Sequence, residues 1–235
     1  KVTFRATPIR RLKVVMVQRG YRRIDPVNSR EVHVCFREPR VGDESLKWYP
    51  GVEVSGEGIF IDITEPRDFI LAGSATDEWL SVYRSRRRST AYKDHLFRDP
   101  SRRLELHPLF VWWHSFSHRL ITWLAIDSGY PAASIRERVY CDGKSGGVLL
   151  YTSQPGSGGS MGGLIGLMDH IEEILKAAYR SAMLCSNDPF CFESSVSVGS
   201  YAGAACYACL FLPETSCEHR NMWLDRRLIV QNPLW

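Results

Sequence analysis

The sequence predicts an α+β chain. It has a β-rich N-terminal part over residues 1–83, a basic linker or loop over 84–106, and a mainly helical domain over 107–235. Three observations lead there. Short runs of β-branched residues crowd the region before residue 64. Helix-spaced apolar residues dominate after residue 107. Between them, "RSRRRSTAYKDHLFRDPSRR" (84–103) is polar, basic and weakly periodic. A chain of 235 residues that is 44% hydrophobic can bury a core as one domain or as two small ones.

In order along the chain, "IRRLKVVMVQRGYRRID" (9–25) reads as a strand with arginines on either side of Val14, Val15 and Val17. "EVHVCF" (31–36) alternates, with Val32, Val34 and Phe36 on one face, and is expected to be a second strand. "KWYPGVEVSGEGIFIDI" (47–63) suggests two short strands around the turn "SGEG". "HPLFVWWHSFSHRLITWLAIDSG" (107–129) is apolar on nearly every face and predicts a buried helix ending near Gly129. "PAASIRERVY" (131–140) is expected to start a short helix, with Pro131 acceptable in a first turn. "GGVLLYTS" (146–153) carries a buried-strand signature, and "PGSGGSMGG" (155–163) is a glycine-rich loop. Leu164, Leu167, Met168, Ile171, Ile174, Leu175 and Ala178 fall at helical spacing and predict an amphipathic helix over 164–185. A closing helix is expected over 221–230.

Charge is unevenly spread. Residues 1–40 carry a net +8 and residues 84–103 a net +6, within a chain of net +4. Such asymmetry suits an anionic partner as well as it suits two solvated faces. Arg10, Arg11, Arg22, Arg23, Arg86, Arg87 and Arg88 are the candidate nucleic-acid contacts, with Tyr92 and Phe97 interleaved among the later cations. No run reaches eighteen apolar residues, so no transmembrane helix is expected, and the first residues lack the apolar core of a signal peptide.

Five of the seven cysteines fall within residues 185–217. Cys206 and Cys209 make a CxxC pair that can present two thiolates to one ion from a tight turn. Cys217 follows across "LFLPETS", and Cys185 or Cys191 can supply a fourth sulfur. Buried free thiols and a redox pair are the alternatives. The crowding of thiols in a chain with its own apolar core points to a reducing compartment and local metal binding, with zinc the expected ion. A four-sulfur site leaves no open position for chemistry and is structural.

His114 and His118, in "HSFSH", share one helix face at i, i+4. Ser115 stands where a metalloprotease would need its general base, so a pair of core histidines is favoured over ligation. The strand, glycine loop and helix over 148–167 can hold a phosphate, but the loop has no Walker lysine, and a tight packing turn suits it slightly better. No nucleophile, base and acid set declares itself, so no catalytic residue is expected.

"HSFSHRLI", "DSGYPAASIRERVY", "GGVLLYTSQPGSGGSMGGL", "CSNDPFC" and "AACYACLFLPETSCEHRNMWLDR" together resemble the zinc-binding domain at the C-terminus of mitomycin-repair helicases. Within that group they resemble the DrmB branch of DISARM phage-defence systems. The resemblance implies a structural zinc held among Cys185, Cys191, Cys206, Cys209 and Cys217, with Cys206, Cys209 and Cys217 the core of the set. It also implies a cytoplasmic bacterial protein that partners a helicase-like ATPase, DrmA, and contacts DNA mainly through phosphates without catalysing a reaction. The competing expectation is a purely structural zinc-containing module that binds protein and leaves DNA to others.

Overall fold

The long apolar segment 107–129 decides the architecture, because a helix with no polar face must be covered on all sides. In the computed structural model, residues 2–17, 20–21, 32–33, 49–65, 69–86, 107–154, 162–197 and 202–234 are described. Among them the strands are β1 (Phe4–Val17), β2 (Gly20–Tyr21), β3 (Val32–His33), β4 (Gly51–Ile63), β5 (Ile135–Cys141) and β6 (Gly146–Gln154). The helices are α1 (Ser74–Arg86), α2 (Pro108–Ser128), α3 (Ile171–Ser181) and α4 (Arg226–Gln231). The fold is α+β.

Helix α2 starts where expected. The His107 ring accepts the Leu109 N–H at 3.2 Å, and Pro108 occupies the first turn, where a missing donor is harmless. It stops at Gly129, whose φ of 74° is the left-handed cap that glycine tolerates. Phe110, Val111, Trp112, Trp113, Phe116, Leu120, Ile121 and Leu124 on α2 are fully buried. An antiparallel sheet in the order β1-β4-β6-β5 packs on one side, with α3 and α4 packing elsewhere around the helix. β2 and β3 form a separate two-stranded ladder.

The sheet crosses the expected boundary. β1 and β4, from before residue 84, pair through β6 with β5, from after residue 107. The "SGEG" stretch is not a turn: it runs straight through β4, opposite Thr152 and Ser153 of β6. Glycine is needed there because a Cβ on Gly56 would lie 1.8 Å from the Thr152 carbonyl oxygen. Between these glycines, Glu57 is buried and accepts the Leu164 N–H at 2.8 Å, fixing where the chain leaves the glycine-rich loop.

Other expectations shift in kind or length. "PAASIRERVY" gives only a 3-10 turn, Ala132–Ser134, before strand β5, because pairing with β6 overrides the local helix signal. The segment after the glycine loop is a 3-10 turn over Ile165–His170 followed by α3, so the helix is shorter than 164–185. The closing helix is likewise short and begins at Arg226, capped by the Asp225 side chain. The basic segment from Arg87 to residue 106 and loop residues 155–161 lie outside the described residues.

Candidate metal centre

Four of the five clustered cysteines converge. The Sγ atoms of Cys185, Cys191, Cys206 and Cys209 lie within 4.8 Å of one another. Cys185 and Cys206 are 3.5 Å apart, while Cys191–Cys209 and Cys206–Cys209 are 3.7 Å apart. A tetrahedron with metal–sulfur bonds of about 2.3 Å has edges of about 3.8 Å, so the four sulfurs are spaced for one zinc ion. Cys185, Cys191, Cys206 and Cys209 are all free thiols, so no disulfide competes at this site.

Local backbone geometry explains the gathering. The Cys209 N–H donates to the Cys206 carbonyl at 3.1 Å, closing the turn that brings the CxxC thiols together. The Cys206 N–H points at the Cys209 sulfur (3.3 Å), and the Asn187 side-chain amide at the Cys206 sulfur (3.4 Å). Such N–H···S contacts favour the thiolate that a metal requires. Burial opposes ionisation at Cys206, but hydrogen bonds from Cys185, the Ala208 N–H and Asn187 outweigh it and bring that thiol down to about 7. Burial pushes Cys191 up to about 11 and Cys209 higher still.

The sulfur site is wired to the core by cations. Arg226, fully buried, pairs with Asp188 between Cys185 and Cys191, and its guanidinium lies 5.2 Å from the centre of the Phe192 ring. The Arg119 guanidinium donates to the Cys209 carbonyl, and its neighbour His118 contacts the Leu210 carbonyl at 2.7 Å. Consecutive residues of α2 thus hold consecutive carbonyls of the cysteine loop.

Cys217 does not join the other cysteines. The "LFLPETS" segment carries it instead to the wall of α2, where His114, His118 and Glu137 surround it. The Ser216 carbonyl accepts the Glu137 N–H at 3.1 Å, and the Ser216 hydroxyl donates to the Ala132 carbonyl at 2.7 Å. These bonds lay the loop along the edge of β5 and fix the departure of Cys217 from the cysteine cluster. Nε2 of His114 is 3.2 Å from the Cys217 sulfur and 2.8 Å from a Glu137 carboxylate oxygen. Nε2 of His118 is 3.1 Å from that same oxygen. Burial by itself would raise Glu137, whereas the two imidazoles, when protonated, hold its carboxyl well below the usual range. Burial and the Glu137 charge push the Cys217 thiol up. His219, whose ring centre lies 5.1 Å from that of His114, is brought down to about 3, chiefly by burial.

The expected nucleic-acid contacts divide. Arg10 and Arg11 are exposed on β1, an edge strand, at a register shift between Ile9 and Leu12 where two residues face one on β4. Arg86 ends α1. Arg22, Arg23, Arg87 and Arg88 lie outside the described residues. Glu137 is a member of the second cluster that sequence reasoning missed. Its signal is the alternation of Ile135, Glu137 and Val139 against Arg136 and Arg138, in which a carboxylate holds an inward position.

Residues 116–210 match the family model of the MrfA Zn-binding domain. The matched stretch contains Cys185, Cys191, Cys206 and Cys209, and it ends before Cys217. The match and the spacing of the sulfurs agree on a structural zinc, held in a closed shell that supplies folding energy and no open coordination position. Among curated proteins, the DISARM protein DrmB of Bacillus paralicheniformis is 35% identical over 233 residues, covering 94% of this chain. The chain spans about 40% of the length of that relative. Over residues 116–210 the chain is similar to the MrfA Zn-binding domain, and over nearly its whole length it is similar to part of a DISARM DrmB protein.

Proposed function

We propose that this chain is a non-catalytic, zinc-stabilised component of a DISARM-type anti-phage assembly. In this reading it acts in the bacterial cytoplasm beside a helicase-like ATPase, DrmA, and touches DNA mainly through phosphates. The observation that carries the reading is the 35% identity to DrmB across 94% of the chain. Two features of the geometry support the finer points. Arg10 and Arg11 stand exposed at a bulge on an edge strand, where such irregularities re-aim side chains away from the sheet. Both clusters of metal-ligating and titratable side chains are four-membered and mostly buried, which suits scaffolding better than turnover. Among the described residues no helix is long and apolar enough to cross a membrane.

The test is DNA binding by fluorescence anisotropy across a salt series, with the chain alone and with its helicase-like partner. Phosphate contact predicts affinity that falls linearly on a log–log plot. The paired change Arg10→Glu and Arg11→Glu should reduce the slope by about 1–2, near 0.9 for each phosphate no longer neutralised. Binding that is flat between about 50 and 200 mM salt would sink the DNA contact.

One observation favours the second reading, a protein-interaction module that leaves DNA to others. Leu184, Phe190 and Tyr207, beside the cysteines, are 79–90% exposed. Under that reading Phe190→Ser with Tyr207→Ser abolishes partner capture, and the arginine changes do nothing.

A further inference from the structure

The cluster of His114, His118, Glu137 and Cys217 lies outside the four-cysteine site and has donor chemistry of its own. Its tautomers are dictated by the backbone. Nδ1 of His114 faces the Trp223 carbonyl at 3.1 Å, and Nδ1 of His118 faces the Leu210 carbonyl at 2.7 Å. A carbonyl can only accept, so both Nδ1 atoms carry protons. In the neutral ring this leaves each Nε2 as a bare lone pair, and both point at the same Glu137 oxygen, at 2.8 and 3.1 Å. Lone pairs facing a carboxylate in a fully buried site repel one another unless something positive lies between them.

Protonating both rings would place two imidazolium ions beside one carboxylate and leave a net buried positive charge, and protonating only one would leave the other Nε2 lone pair facing the same Glu137 oxygen. A divalent cation at the centre removes that imbalance. Its two charges are met by the Glu137 carboxylate and the Cys217 thiolate, while both imidazoles stay neutral.

The surroundings are those of ligands held in place. The Cys217 sulfur accepts the N–H groups of His219 and Asn221, each at 3.3 Å. That wrap requires Arg220 and Asn221 to sit at φ of 55° and 58°, a conformation that non-glycine residues seldom adopt and that clusters where function demands it. The Ser117 hydroxyl donates to the second oxygen of Glu137. Metal-bound histidines commonly give their other N–H to a backbone carbonyl, and ligating carboxylates are themselves hydrogen-bonded. The four donor atoms lie within 4.8 Å of one another. Metal bonds of about 2.0–2.3 Å need nitrogen–oxygen edges of about 3.3 Å, a few tenths of an ångström outward from those present.

A cysteine–histidine–acid catalytic arrangement does not account for the cluster. There the acid orients the ring from the nitrogen opposite the sulfur, whereas here Glu137 and Cys217 share Nε2 of His114. All four residues are also buried beyond the reach of a substrate.

We propose that His114 Nε2, His118 Nε2, a Glu137 oxygen and Cys217 Sγ bind a second divalent transition-metal ion, zinc by preference, in a closed structural site. Two nitrogens, one oxygen and one sulfur in a four-membered shell suit zinc among the common ions. The site is separate from the four cysteines, and only His118 and Glu137 lie within residues 116–210.

Native mass spectrometry and zinc-edge X-ray absorption of the purified full-length chain test this. Two zinc ions per chain, with a first shell of mixed sulfur and nitrogen or oxygen, support the proposal. One zinc per chain in an all-sulfur shell overturns it, whether or not any variant folds. Cys217→Ser should lose one ion and leave the all-sulfur signature, and retention of both ions in that variant also overturns it. Cys191→Ser isolates the new site: one ion in a mixed shell supports it even if the four-cysteine site has failed. Loss of all metal from folded Cys191→Ser counts against an independent second site.

Discussion

Replacing Cys209 with Ser should empty the four-cysteine site and loosen one corner of the molecule while leaving the rest folded. The small apolar cluster around the cysteines contains two buried leucines, Leu210 and Leu224. At about 1.5–3 kcal/mol for each buried side chain, they contribute roughly 3–6 kcal/mol. A structural zinc contributes about 10–16 kcal/mol in small zinc-binding peptides near neutral pH. The metal is therefore the larger part of what orders the cysteine loops over residues 185–194 and 202–211. Trp113, Leu120 and Leu150 belong to a different, larger core that needs no thiol. Hydrogen exchange read by mass spectrometry, with metal content measured on the same samples, separates these contributions. Protection should collapse in 185–194 and 202–211 and persist in α2 and β6, and a chelator should do the same to the wild type. A metal-free Cys209→Ser protein with wild-type protection throughout would refute the reasoning. Equal loss in α2 would show that the two cores are not separable.

Metal uptake should also depend steeply on pH. Between about pH 7.5 and 8.5 the Cys191 and Cys209 thiols of the metal-free chain, raised by burial, keep protons that binding must expel. Cys206, at about 7, is mostly ionised there. At least two displaced protons tighten the apparent Kd by at least about a hundredfold per pH unit, which competition with a chromophoric chelator can follow. Glu57→Ala strips the buried Leu164 N–H of its acceptor and should cost about 1–3 kcal/mol, read as a lower urea midpoint with unchanged slope. Gly56→Ala drives a methyl into the Thr152 carbonyl and should cost at least about 3 kcal/mol or abolish folding, whereas Gly166→Ala meets nothing and should cost less than about 1 kcal/mol in thermal melts.

What can be read from the residues alone is mostly what local chemistry decides. α2 is legible because its cap residues and its all-round apolar surface both follow from sequence. β6 is legible as a short apolar run after two glycines. The "SGEG" stretch misleads because glycines in sequence signal a turn, while here they admit the backbone of β6, a demand made by a strand some ninety residues away. "PAASIRERVY" misleads because Pro131 starts helices well, yet the alternation after Ser134 matches the edge of a sheet.

The metal ligands show the same division. Cys206 and Cys209 lie three residues apart on one turn, and their pairing is local. The assignment of Cys217 is not, since equal spacing would serve either direction of the loop. Its course is set by the Ser216 carbonyl, which accepts the Glu137 N–H of β5, and by histidines more than ninety residues earlier. Glu137 escapes notice because an inward carboxylate on a strand makes sense only once the facing imidazoles are known.

The grip of His118 and Arg119 on the adjoining carbonyls of Leu210 and Cys209 makes the two clusters thermodynamic partners. Anything that fixes the cysteine loop also fixes the acceptor that sets the His118 tautomer. Reciprocity requires the influence to run equally in the other direction. Leaving the histidine cluster empty should therefore weaken cysteine-site affinity by the same factor by which emptying the cysteines weakens the histidine cluster. Samples short of metal would then hold fewer singly loaded molecules than two independent sites would give, while each site still fills alone at excess metal.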